Sequence, residues 1–288
     1  MGRAFAIGVF LNTGFVAAEV IAGLWTGSLA LLADAGHNLS DVLTLLLAWG
    51  ATVLAKRAPA GRRTYGLRKG TILASLANAV LLLLAVGAIV SEAVRRLGDP
   101  RPMDTDVVML IAGLGVLING ATAMLFMRGS HDDLNVRGAF LHMAADAGVS
   151  LAVVAGAFAM AQTGVLWLDP ALSLAIAAVI VLGAWGLLRD SVDLAMDAAP
   201  RGIDVEAVRA YLVGLPGVEG VHDLHIWAMS TTETAMTAHI LRPRNGDADG
   251  FLHAACEGLE TRFRIGHVTL QVETDAARAC RLAPAEVV

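Results

Sequence analysis

Cysteine is nearly absent from this sequence. Cys256 and Cys280 are the only two in 288 residues, too few for a disulfide framework and not spaced as a CxxC pair. Charge is scarce too: Asp, Glu, Lys and Arg make up 16% of the chain, where soluble domains carry about 25%. There is no basic excess. The net charge is -5 and the isoelectric point near 5.9, which argues against a nucleic-acid partner. No repeat with a period of about 20–50 residues marks a solenoid. The first apolar stretch runs on without a cleavage-site boundary, so no removable leader is expected.

What fills the chain is hydrophobic residue, 56% of the total, with a mean hydropathy of +0.65. Such a composition belongs to a membrane protein. Six apolar stretches, at 5–25, 28–55, 68–94, 106–127, 137–162 and 169–189, each reach the length of about 20 residues that a spanning helix needs. A very short turn joins the first two into an antiparallel hairpin. The even number puts both termini on one side, and Lys and Arg say which. The loop after the second stretch holds Lys56, Arg57, Arg62, Arg63, Arg68 and Lys69, whereas the loops after the first and fifth have no Lys or Arg. Both termini are therefore expected in the cytoplasm, with the chain in the cytoplasmic membrane and in contact with its lipid. Arg95, Arg96 and Arg101 stand against this, since they fall on the outer side among acids.

From Arg201 onward charge becomes frequent and five of the eight histidines appear. The periodicity predicts a helix over 204–215, strands over 217–229 and 233–241, a helix over 249–263 and a strand over 266–274. The order αββαβ suits a small α+β domain with its helices on one face of a three-stranded sheet. The expected division is a six-helix transmembrane domain over 1–199 and a cytoplasmic domain over 200–288.

Within the second stretch lie Asp34, His37 and Asp41, on one helical face. Insertion scales put the cost of an ionisable group in lipid at about 2.5 kcal/mol or more, so these three should face a protein interior or a watery cavity. The fifth stretch repeats the spacing, with His142 and Asp146 one turn apart. A single buried His–Asp pair is as well explained by an interhelical hydrogen bond. Two such pairs in two spans offer two nitrogens and two oxygens, the donor set of a tetrahedral ion such as Zn2+. Two aspartates and two neutral histidines cancel a divalent charge, and the emptied site favours proton uptake. Metal moving one way against protons the other is the chemistry this implies. Four ligands saturate a tetrahedral ion, which leaves no open position for a hydrolytic enzyme. Asp34 lies a turn outward of His37 with no evident partner, and a capping role, an outer-shell role and a place on a proton path stay open for it. Glu19, Asn12 and Asn119 are read first as interhelical hydrogen bonders, with Glu19 also a candidate for the proton path.

The segments SLALLADAGHNLSD, RTYGLRKGTILASLANA, EAVRRLGDP, LNVRGAFLHMAADAGVS and GVEGVHDLHIWAMS resemble the cation diffusion facilitator family, in its zinc-transporting branch. The likeness runs over essentially the whole chain. It implies six spans, a ferredoxin-like or metallochaperone-like cytoplasmic domain, and a homodimer that exports divalent metal in exchange for protons. By position, the family's transport site falls on His37, Asp41, His142 and Asp146. Its tail sites fall on His222, His239 and Glu273, with Gln271 where some relatives carry a further histidine. The loop after the second stretch lacks the Asp and His that some members use for a second metal, so none is expected there. Cys280 is either a ligand or an inert thiol. His131, His225, His253 and His267 are read as surface residues. The expected cargo is Zn2+, with Cd2+, Co2+ and Ni2+ of the same ligand class. The rival function is a membrane metal sensor that signals through its tail without net transport.

Overall fold

The computed structural model describes residues 3–55, 59–127, 134–243, 246–275 and 280. Six helices of 23 to 30 residues occupy the six apolar stretches: α1 Arg3–Thr26, α2 Leu29–Ala55, α3 Gly70–Gly98, α4 Thr105–Met127, α5 Leu134–Thr163 and α6 Leu168–Ala195. At a rise of about 1.5 Å per residue they are about 35–45 Å long, enough to cross a bilayer core. Among the described residues, four helices (those of α3, α4, α5 and α6) are long and apolar enough to span by composition. The sixth helix continues six residues past the expected end at 189, through a polar last turn.

Contacts group the chain into two compact units, Met1–Leu46 with Ala77–Leu187, and Leu47–Leu76 with Leu188–Val288. Composition alone divides the chain at 199/200. By contacts, the ends of α2 and α6 and the start of α3 group with the tail.

The first unit is built on small residues. Ala33, Ala35, Ala79, Ala112 and Ala177 are buried between helices, where they let backbones approach, and Leu31, Val86, Val108 and Val153 fill the remaining space. Large side chains such as Phe10, Leu84, Leu117, Leu125 and Leu182 point outward, the reverse of a soluble protein and the arrangement lipid favours. The turn from α1 to α2 is only Gly27 and Ser28, and Gly27 sits at φ +76°, a conformation open to glycine at little cost. Arg96 Nη1 donates to the Gly27 carbonyl. Asp169, in the first turn of α6, closes the N-terminus of α2: Oδ1 accepts from Ser28 Oγ at 2.7 Å and from the Ala30 amide at 3.2 Å, and Oδ2 from the Leu29 amide at 2.9 Å. These amides are ones a helix start leaves without intrahelical partners. Arg95 and Arg96, two of the cations that stand against the expected topology, both pair with Glu92, at 2.8 and 2.9 Å.

The second unit holds α7 Val205–Val213, β1 Gly220–Ala228, β2 Thr234–Leu241, α8 Ala248–Phe263 and β3 His267–Glu273. The expected αββαβ order is present. Asp204 caps α7 by accepting from the amides of Glu206 and Ala207, and Asp247 caps α8. The sheet order is β1-β2-β3, antiparallel then parallel, as the long α8 crossover requires. Alternation puts Met236, Ala238 and Ile240 of β2 against Val208 and Leu212 of α7 and Phe251 and Leu259 of α8. His239 and Gln271 therefore lie on the opposite face. The loop before α3 is latched to this domain: Arg68 pairs with Glu233 at 3.1 Å, Lys69 with Asp197 at 2.5 Å, and the Thr231 amide donates to Thr71 Oγ1 at 3.1 Å.

Candidate metal centre

Helix α2 presents His37 and Asp41 one turn apart, and α5 presents His142 and Asp146 the same way. The two helices bring all four together. His37 Nε2 lies 3.2 Å from Asp146 Oδ1 and 3.9 Å from Asp41 Oδ2, and His142 Nε2 lies 3.4 Å from Asp41 Oδ2 and 3.7 Å from Asp146 Oδ2. One ligand atom from each residue falls within 4.8 Å of every other. A tetrahedral ion with N and O ligands at about 2.0–2.2 Å holds them ~3.3–3.6 Å apart, so the donor set matches in kind and nearly in spacing. The two rings meet edge to face at 6.0 Å. Beside them a cavity of about 270 Å³ runs between α2, α3, α5 and α6, along α6 from Ile176 to Leu187. Ser40 and Thr44 are its other polar lining.

Asp34 has a partner after all, which corrects the reading that the chain supplies none. It is fully buried and accepts from Ser150 Oγ at 2.9 Å. Ser150 continues the stripe of His142 and Asp146 by one more turn, a signal present in the spacing and missed. Glu19 makes the expected interhelical bond, accepting from Asn38 Nδ2 at 2.9 Å. Asn119 is buried, and among the described residues its amide nitrogen meets no hydrogen-bond partner. Asn12 is half-buried on α1.

The tail carries a second cluster, on the sheet face away from the helices. His222 stands opposite His239 in the β1–β2 register, with their rings 5.1 Å apart. Glu273 Oε1 is 2.8 Å from His239 Nδ1 and 3.4 Å from His222 Nε2. Cys280 Sγ lies 3.5 Å from the same His239 nitrogen, so this thiol belongs to a four-residue group with ligand atoms within 4.8 Å of one another. Desolvation works to raise the pKa of Glu273. Hydrogen bonds to His239 and Cys280 and the nearby imidazoles outweigh it and hold the carboxyl below the ordinary glutamate value. Asp223 was not anticipated. A bulge between His222 and His225 turns it to φ +49°, and its carboxylate then reaches His225 at 2.8 Å and His239 at 3.5 Å. His225, His253 and His267 are exposed, and the His267 ring meets Tyr65 edge-on at 5.6 Å. His131 lies outside the described residues.

Two family profiles cover most of the chain: the cation efflux transmembrane domain over residues 5–194 and the cytoplasmic domain of cation efflux proteins over residues 200–275. The metal cation efflux system protein CzcD of Cupriavidus metallidurans is 34% identical over 99% of this chain and 92% of its own length. The zinc transporter ZitB of Escherichia coli is 37% identical over 93% and 86%. The cadmium, cobalt and zinc/H(+)-K(+) antiporter of Bacillus subtilis is 32% identical over 95% and 89%. Among solved structures, the metal-bound C-terminal domain of the CzcD transporter from Cupriavidus metallidurans aligns at 30% identity with a TM-score of 0.23, covering 25% of this chain and 99% of that one. The chain belongs to the cation efflux family, whose members are multi-pass membrane transporters and not enzymes.

Proposed function

We propose that this transporter exports Zn2+ across the cytoplasmic membrane in exchange for protons, by alternating access in a homodimer. Both termini and the domain over 200–288 are cytoplasmic in this reading. The carrying observation is the convergence of His37, Asp41, His142 and Asp146 from two helices on one point within the helical unit. These four are the transport ligands. Loading deprotonates them to a neutral complex, and unloading leaves two adjacent carboxylates that take up protons. The cavity along α6 runs from the ligands toward the C-terminal end of that helix, the side that the basic loop assigns to the cytoplasm. It is the natural entry for outgoing metal. The names of the relatives extend the cargo class to Cd2+ and Co2+, and Ni2+ shares the same ligand preferences.

The tail cluster of His222, His239, Glu273 and Cys280 binds metal in a regulatory role, favouring whichever dimer arrangement it binds more tightly. The test is transport in sealed vesicles containing the purified protein, read with a zinc dye and a pH dye. Zinc entry should be matched by proton movement in the opposite direction, and Asp146→Ala should abolish both while the protein remains folded. Metal binding without flux in the unaltered protein would leave a membrane sensor as the better reading.

A further inference from the structure

Among the described residues, two carboxyls are wholly buried in the helical unit and lie outside the four-ligand set: Glu19 of α1 and Asp34 of α2. Among the described residues neither meets a Lys, Arg or His within ion-pair distance. Each has one oxygen satisfied and one orphaned. Asn38 serves Glu19 Oε2 and leaves Oε1 bare, while Ser150 serves Asp34 Oδ2 and leaves Oδ1 bare. Asn38 follows Asp34 by four residues, so the amide that holds Glu19 stands on the same face of α2 as Asp34. Asp34 in turn acts electrostatically on Glu19. The surroundings are tightly closed. A Cβ on Gly115 of α4 would come within 2.8 Å of Ser150 Oγ and 2.9 Å of the Phe15 ring, so only glycine lets α4 approach there.

A dry interior penalises an ionised carboxylate without a counter-charge, and two such groups close together do not both ionise. A proton is the smallest species that resolves the conflict. We propose that Glu19 and Asp34 hold one proton between them beside the metal centre, and that Glu19 passes it on during exchange. The carrier role rests on the antiport reading above, whereas the shared proton does not. His37 of α2 and Asp146 of α5 are the titratable groups that act on Asp34. Asp34 lies one turn before His37 on α2, and Glu19 lies in the second half of α1. Asp34 is therefore outward of the ligands in the proposed topology, and Glu19, bonded to Asn38, stands beside them on the route of incoming protons. When the ligands are free of metal, the O–H bond at Glu19 breaks and its proton passes inward to a ligand carboxylate. The carboxylate left behind is reprotonated from outer water.

Infrared difference spectra of the purified full-length protein between neutral and alkaline pH read the shared proton directly. A protonated carboxylic acid band at neutral pH should be present, and altered in both E19Q and D34N. Its absence, its persistence unchanged in E19Q, or its removal by Na+ or K+ at fixed pH overturns the proposal, the last by making the occupant a monovalent cation. In reconstituted vesicles, E19Q should lose at least about fivefold of proton-driven zinc flux, the low end of a typical coupling between sites. Its dependence on outside pH should flatten while zinc binding persists. Wild-type flux with a wild-type pH profile in E19Q reduces Glu19 to a structural hydrogen bond. Failure of the unaltered protein to move zinc while the infrared band remains would overturn the antiport reading alone.

Discussion

Asp146 is the ligand candidate that water reaches least: its side chain is 3% exposed, against 30% for Asp41 and 43% for His142. It also accepts the shortest contact in the centre, from His37 at 3.2 Å. Replacing its carboxylate by an amide therefore weakens the acceptor of His37 and leaves an NH2 to be satisfied in a closed environment, whereas the Asp41 side chain is partly open to water. Asp146→Asn and Asp41→Asn should each weaken zinc binding by more than about 100-fold, the upper end of what losing an outer partner costs a metal site. Only Asp146→Asn should also destabilise the metal-free protein, by about 1–3 kcal/mol. Calorimetric titration and thermal melting of the two variants separate the effects. Equal melting temperatures would show that burial of Asp146 carries no structural weight.

At the scale of elements, the link from α6 to the start of α2 carries the most from a single side chain. Asp169→Ala leaves two backbone amides and the Ser28 hydroxyl without their acceptor in a buried place. A loss of about 1–3 kcal/mol is expected, somewhat above the ~1 kcal/mol typical of an exposed helix cap. Thermal melting of the variant in detergent measures it. The sequence made the helices legible because apolar length alone specifies them, and it made the four-residue cluster legible because both His–Asp pairs recur at one helical turn. Asp169 and its targets are about 140 residues apart, and no periodicity records such a contact. Ser150 was within reach of the same stripe argument that found His142 and Asp146. Asp223 was not, because its direction comes from a bulge that shifts the alternation of β1.

At the scale of the whole molecule, Leu47–Leu76 is drawn into one compact unit with Leu188–Val288, and composition gives no hint of this. The Arg68–Glu233 pair in that unit is about a third exposed on both sides. Its coupling energy in a double-mutant cycle of Arg68→Ala and Glu233→Ala should stay below about 1 kcal/mol. It should fade at high salt, where screening shortens the reach of surface charge. A larger, salt-insensitive value would mean that the latch is a structural necessity. The fastening of α2 by Asp169 has a mechanical consequence for the candidate metal centre. It makes the start of α2 a fulcrum. His37 lies about 12 Å along the helix from Leu29 and Asp41 about 18 Å, at ~1.5 Å per residue. Any tilt about that point swings Asp41 about one and a half times as far as His37. The contact of Asp41 with His142 on α5 then opens ahead of the contact of His37 with Asp146, and the cage comes apart from one corner first.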